Sequence, residues 1–180
     1  MLIGDQICLG PVLQADAPSF FNWLNNVELV HGNGAYRPTD QARFDHWFGG
    51  IPNDNTRVVF TIRAKADVRL MGYVQIINIQ PVMRSAEIGM LIGDPQDRGK
   101  GVGQEAMRLA LTFCWRDLNL RRVTLFIVGD NPAAQAAYAK TGFEVEGRLR
   151  QATYVNGAYR DITVMGILRP DDVPAGPTLI

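Results

Sequence analysis

The feature that most restricts this chain is a stretch of three alternating glycines, Gln96-Asp97-Arg98-Gly99-Lys100-Gly101-Val102-Gly103. It follows the apolar run Ala86–Ile92 and leads into a segment with Val102, Ala106, Leu109, Ala110, Phe113 and Cys114 at helical spacing. A strand that feeds a helix through glycines lets the backbone approach a ligand closely. The helix start then presents N–H groups without intrahelical partners, an arrangement that suits phosphate. The same stretch also serves as a plain strand-to-helix connection. Two familiar phosphate loops fail on spacing. A Walker loop needs Gly-Lys followed by Ser or Thr, but Lys100 precedes Gly101. The dinucleotide fingerprint needs a third glycine where Gln104 stands, and an acidic residue ending a second strand, whereas Asp117 falls late in a helix.

Around this loop the chain reads as one domain over residues 1–180, with a core from about 5 to 169. A length of 180 residues with 47% hydrophobic side chains supports a single core. Ile7–Leu13 predicts a first strand. A helix follows Asp16 with Pro18 near its start and Phe20, Phe21 and Leu24 on one side, and a second begins near Thr39 with Phe44, Trp47 and Phe48. The intervening His31–Pro38 reads as a loop. Arg57–Ile62, Leu70–Ile79 and Ala86–Ile92 predict an antiparallel meander. After the glycine loop and its helix come a strand at Arg122–Val128 and a short helix opened by Asn131-Pro132 and closed at Gly142. Two strands, Val145–Tyr154 and Ala158–Leu168, are joined by Asn156-Gly157, a strong hairpin signal. The order β-α-α-β-β-β-α-β-α-β-β is a mixed α/β sheet. The proline-rich end, residues 170–180, predicts a loosely held tail.

Composition excludes several classes. Eighteen basic and eighteen acidic residues cancel, so no net basic face is available for nucleic acid or for a membrane surface. Zero net charge also disfavours a strongly cationic substrate unless a local acidic cluster overrides it. No apolar run approaches a membrane span, and the N-terminus lacks a basic-then-apolar leader. Two cysteines and two histidines offer no metal-ligand spacing, and so few cysteines fit a reducing, cytoplasmic setting.

Arg98, Gly101 and Gly103 fit the pattern Arg/Gln-x-x-Gly-x-Gly, and here the sequence resembles the GNAT superfamily of acyl-CoA-dependent N-acetyltransferases. Ala86–Ile92 looks like the family's fourth strand. Asn131-Pro132, Tyr138 and Lys140-Thr141-Gly142-Phe143 look like its second cofactor segment. Glu146-Gly147-Arg148 and Gly157-Ala158-Tyr159-Arg160-Asp161 resemble the branch containing ribosomal-protein N-terminal acetyltransferases. The resemblance covers roughly residues 84–168 closely and the first half by element order. It implies a GNAT fold of about seven mostly antiparallel strands and about four helices. It also implies acetyl-CoA as co-substrate, an amine acceptor, no metal, and a second copy of the chain as a candidate partner.

By the same resemblance, the amides of Gly99, Lys100, Gly101, Val102 and Gly103 wrap the pyrophosphate, with charge from Arg98 and Lys100. Met90, Leu91 and Ile92 run along the pantetheine arm, and one of their N–H groups faces the thioester oxygen. Asn131 and Tyr138 lie seven residues apart, on nearly one helix face. The family binds pantetheine with the first and protonates the leaving thiolate with the second; without the resemblance they read as a capping Asn and a packed Tyr. Glu87 stands where some members carry a glutamate base, against a reading as a strand-edge carboxylate. His31, His46 and bound water are the alternatives. His31, Tyr36 and Arg37 are candidate acceptor contacts. Trp23, Trp47 and Phe48 read as core or cleft wall, and Cys114 as core. The expected activity is direct acetyl transfer in a ternary complex to a primary amine, a protein N-terminus first and a small-molecule amine close behind. A catalytically silent acyl-CoA sensor and an assembly module are the rival readings.

Overall fold

In the computed structural model, which describes residues 1–32 and 34–171, one eight-stranded sheet carries helices on both faces. The strands are β1 (Leu2–Ile3), β2 (Ile7–Pro11), β3 (Val58–Ala64), β4 (Leu70–Gln80), β5 (Ser85–Ile92), β6 (Arg122–Val128), β7 (Glu144–Val155) and β8 (Ala158–Leu168). The helices are α1 (Ala17–Leu24), α2 (Val27–His31), α3 (Gln41–Gly50), α4 (Val102–Arg116) and α5 (Pro132–Ala139). The sheet order is β1-β2-β3-β4-β5-β6-β8-β7, and β5 with β6 is its one parallel pair. No helix among the described residues is long and apolar enough to cross a membrane.

The sequence expectation holds in order and misses two elements. β1 is two residues long, too short to show alternation. It is held by the turn at Gly4–Gln6, whose Asp5 and Gln6 N–H groups donate to the buried Glu105 carboxylate of α4. α2 is a single capped turn, with Asn26 Oδ1 accepting from Glu28 and Leu29 N–H at 3.0 and 3.2 Å. The expected loop from His31 therefore starts inside a helix. β2 stops at Pro11 rather than Leu13, because Leu13 N–H donates to Asp16 Oδ2 at 2.8 Å and opens a 3-10 turn instead. Of the expected tail, residues 172–180 lie outside the described chain. The Asn156-Gly157 hairpin forms as expected, with both residues at positive φ, 50° and 76°.

Strand alternation sorts the core into two layers. Val74, Ile76, Ala86 and Ile88 face α4, where Ala106, Met107, Ala110 and Cys114 are buried at three- and four-residue spacing. Tyr73 and Leu91 face the other way, into an aromatic layer with Phe20, Phe44 and Phe48 from α1 and α3. Phe20 is fully buried and stacks on Tyr73, ring centroids 5.0 Å apart. Burial pushes the Tyr73 hydroxyl to about 12 and the Cys114 thiol likewise to about 12, so both stay protonated at neutral pH. Cys114 is a core residue, as read from its helical stripe.

Two contacts fix the β5 end and the loop behind it. At Gly72 of β4, a Cβ would lie 2.1 Å from the Leu91 carbonyl oxygen. The Asp97 carboxylate is gripped by Arg69 Nη1 and Nη2 at 2.8 and 2.9 Å, which ties β4 to the start of the glycine stretch. The Arg69 hydrogen bonds hold the Asp97 carboxyl below its usual range. Gly72→Ala should destabilise the protein by about 1–3 kcal/mol, the usual cost of overpacking, and displace Leu91; urea unfolding reads the first effect. Asp97 has a depressed folded pKa, so its contribution is present above the unfolded value near ~3.9 and disappears as pH falls through the folded one. Asp97→Asn should therefore unfold at lower urea than the parent at pH 7, with the gap closing below about pH 3.9. A gap that persists unchanged at pH 3 removes the ion pair from the account.

Candidate active site

β5 and β6 pair only through Ser85↔Arg122, Ala86↔Val123 and Glu87↔Thr124. Beyond Glu87 the strands part, because β6 continues along β8 while β5 continues along β4. The β6-facing edge of Ile88–Ile92 is left without a strand partner, and buried backbone groups in that state call for a ligand. A cavity of about 450 Å³ lies there, a size suited to a small-molecule site. Its lining comes from both faces of the sheet: Met90, Leu91 and Ile92 of β5, the glycine stretch and first turns of α4, one face of α5, and α2.

The glycines act through backbone conformation. Gly99 and Gly101 have φ of +73° and +84°, in the left-handed region, and Gly101 forms the N-cap of α4. Glu105 N–H is the first to bond back into the helix, to the Gly101 carbonyl at 3.0 Å, so the preceding amides remain free for an anion. A Cβ on Gly103 would sit 3.0 Å from Met90 Cε, so glycine lets the helix start close onto β5. Arg98 borders the cavity, but its guanidinium donates to the Ile92 carbonyl at 3.1 and 3.3 Å and reaches the Gly93 carbonyl at 3.5 Å. It staples the loop to the end of β5. Lys100 is exposed and does not line the cavity. Val102 buries its side chain in the core, leaving only its main chain toward the loop.

On α5, Asn131 Oδ1 accepts from Ala134 N–H at 3.0 Å, which caps the helix and leaves the Asn131 amide nitrogen for the cavity. Tyr138 lies two turns on and also lines the cavity, with small Ala134 and Ala137 between them. Its ring packs edge-on against Phe143, centroids 6.1 Å apart, and burial pushes its hydroxyl above the ordinary tyrosine range. The capping and packing readings of Asn131 and Tyr138 therefore coexist with a cavity position. A half-buried, protonated phenol thus lines the same cavity as the free β5 edge, an arrangement that could donate a proton to a group bound there.

Glu87 occupies the last paired position before the strands part. With Ala86 and Ile88 turned toward α4, its side chain points to the aromatic-layer face, half-buried and outside the cavity lining. His31, Tyr36 and Arg37 do not reach the cavity; His31 and Tyr36 meet edge-on, centroids 6.5 Å apart. The same segment instead contributes Glu28, Leu29 and Gly32. His46 is exposed on α3, and Trp23 lies against Gly93, where a Cβ would fall 2.2 Å from the indole. Sequence reasoning missed Glu28, Leu29 and Gly32 because it missed α2, for which Asn26 was the available capping signal. It also missed Gln104 and Met107, which follow Gly103 at one- and four-residue spacing along the cavity side of α4.

Comparison with known proteins agrees with this geometry. Residues 6–144 match the acetyltransferase (GNAT) domain model. The spermidine N(1)-acetyltransferase of Vibrio cholerae is 34% identical over 117 residues, 65% of this chain and 66% of that protein. A putative ribosomal N-acetyltransferase of Bacillus subtilis is 33% identical over 103 residues, 57% of this chain and 56% of that one. The aligned segment thus spans just under two thirds of the first relative's length and little over half of the second's. A crystal structure of the Vibrio cholerae spermidine N-acetyltransferase with CoA and spermine superposes with a TM-score of 0.85 at 28% identity, covering 92% of this chain and 96% of that one. With the parted strands, the glycine-capped helix and the domain match in agreement, the chain belongs to the GNAT acetyltransferase family.

Proposed function

We propose that this protein transfers the acetyl group of acetyl-CoA to a primary amine of a small molecule, by direct attack within a ternary complex. The observation that carries the proposal is the single cavity joining the free β5 edge, the glycine-capped start of α4 and the Tyr138 hydroxyl. Acetyl-CoA supplies the activated acyl thioester. The free amides at the start of α4 hold the pyrophosphate, and the unpaired edge of Met90–Ile92 receives the pantetheine amides. A main-chain N–H on that edge donates to the thioester oxygen as negative charge builds there. Asn131 holds the arm from the α5 side. The acceptor nitrogen bonds to the acyl carbon as the C–S bond breaks, and Tyr138 donates its proton to the departing sulfur. Glu87, directly or through one water, takes the proton that the ammonium must lose.

The relatives named for spermidine, and the superposed enzyme crystallised with spermine, turn the acceptor reading toward small amines. Similarity to the putative ribosomal acetyltransferase, together with the Glu146–Arg148 and Gly157–Asp161 segments, supports a protein N-terminus as the second reading. Two buried free thiols fit a cytoplasmic setting. Free-thiol release from acetyl-CoA across polyamines, amino sugars and peptide N-termini tests these readings together. Acetyl-CoA binding with no release on any amine leaves a silent acyl-CoA module.

Tyr138→Phe should keep acetyl-CoA affinity and lower kcat. The loss should fall at or below about 10²-fold, because a thiolate of pKa near ~8.5 leaves fairly well unaided. A kcat within twofold of the parent, with chemistry shown to limit the rate, removes Tyr138 as the acid. Glu87→Gln should reduce kcat/KM most at neutral pH, with the deficit shrinking toward the amine's own pKa near ~10.4 as more acceptor arrives deprotonated. A deficit equal at every pH reassigns Glu87 to binding the ammonium, and no deficit returns it to a structural role.

A further inference from the structure

We propose that Glu28 is a specificity-determining residue that selects acceptors carrying a second positive centre besides the amine to be acetylated. The inference rests on the acetyl-transfer reading of the same cavity and adds what that reading lacks, a group that distinguishes one amine from another.

The charged groups bordering the cavity are Glu28, Asp97 and Arg98. Both Asp97 oxygens are occupied by the Arg69 guanidinium. Arg98 is a cation, with Nε and Nη2 turned to the carbonyls of Ile92 and Gly93 at the end of β5. The Glu28 carboxylate has no hydrogen bond or ion pair among the described residues; only its main-chain N–H is engaged, by Asn26 Oδ1. Among the described residues it is therefore the one carboxylate on the cavity wall that has no cationic partner.

Its position favours the acceptor over the cofactor. α4 and α5 pack on one face of the sheet, where the glycine loop, Asn131 and Tyr138 lie. α2 belongs to the opposite layer, because Leu29 packs with the aromatic cluster that holds Leu91. The two faces communicate where β5 and β6 part. Glu28 thus borders the cavity from the side away from the phosphate-binding turn, where its charge would oppose a phosphate.

The chemistry then narrows what Glu28 can meet. The attacking nitrogen must reach the thioester as a free amine, so a carboxylate pairing with that nitrogen would hold it in the unreactive ammonium form. A second amine with a pKa near ~10.4 stays protonated at neutral pH and can pair with Glu28 while the first reacts. The matching acceptor class is a flexible di- or polyamine. Glu28 is exposed, so its contribution is that of a partly screened charge pair.

The test compares 1,4-diaminobutane with butylamine, which differ in the second amine, on the parent and on Glu28→Gln, following thiol release at saturating acetyl-CoA. The parent should prefer the diamine. Glu28→Gln should lower kcat/KM for the diamine by about 3–10-fold, through KM, and leave butylamine and kcat unchanged. A parent without preference, a variant with the same preference, or an equal loss on both amines overturns the assignment. Calorimetric titration of the diamine into the CoA complex of each protein separates this inference from the reading beneath it. Diamine binding that weakens in Glu28→Gln without any turnover keeps the assignment and removes acetyl transfer. Equal binding to both proteins removes the assignment whatever the turnover.

Discussion

The site exists because two parallel strands stop pairing. Sheet hydrogen bonds are obligatory where the backbone is buried, so a strand that leaves its neighbour must find other partners for its amides and carbonyls. β6 is satisfied on its other side by β8 along its whole length, through Leu168↔Arg122 to Ile162↔Val128. β5 is satisfied by β4 on one side, while on the other no described strand pairs with it beyond Glu87 and the Arg98 guanidinium caps only the Ile92 carbonyl. An extended molecule bearing amides, as the pantetheine arm does, completes the ladder. Under the proposed function the cofactor arm would substitute for a missing piece of sheet, and the glycine-capped start of α4 would receive its charged end a few residues later.

Holding that gap open requires rigidity on the paired side. Gly72 lets β4 come close enough that a methyl would collide with the Leu91 carbonyl, and Gly93 admits the Trp23 indole just past the end of β5. Arg98 and the Arg69–Asp97 pair then fasten the chain on its way to α4. Arg98 thus shapes the loop, Lys100 stays exposed off the cavity wall, and main-chain amides are what the start of α4 offers an anion. That division makes chemical sense. Amides fixed by a helix need no reorganisation when the ligand arrives, whereas a long basic side chain loses conformational freedom on binding.

The cofactor half was legible in the sequence because its requirements are local. Gly99, Gly101 and Gly103, the capping Asn131 and the two-turn spacing to Tyr138 each follow from one stretch of backbone, and the structure gathers these five residues around one cavity. The acceptor half was not legible, because its wall depends on tertiary packing. A single-turn helix such as α2 has no period to detect, and its register over the cavity is set by Leu29 meeting the Phe20–Leu91 layer. The sequence pointed to His31, Tyr36 and Arg37, whereas the residues from this part of the chain that line the cavity are Glu28, Leu29 and Gly32. The two-residue β1 was invisible for a similar reason. Its place is fixed by Glu105, roughly a hundred residues away in sequence.

Net charge says little about which acceptor a local site takes, for a related reason. A balance of zero is an average over the surface, whereas a cation entering a cavity responds to charges within about a Debye length, roughly 8 Å at physiological salt. Inside that radius what counts is which charges remain uncommitted. Asp97 contributes little attraction, because Arg69 already neutralises it at close range. Arg98 keeps its charge but is fixed against the backbone carbonyls at the end of β5, beside the glycine stretch. A lone carboxylate on α2 then sets the sign of the acceptor side even in a protein with no net charge. Under the proposed function the molecule can attract a cationic acceptor on the α2 side and keep a phosphate-friendly field at the start of α4, because α2 and α4 lie on opposite faces of one sheet.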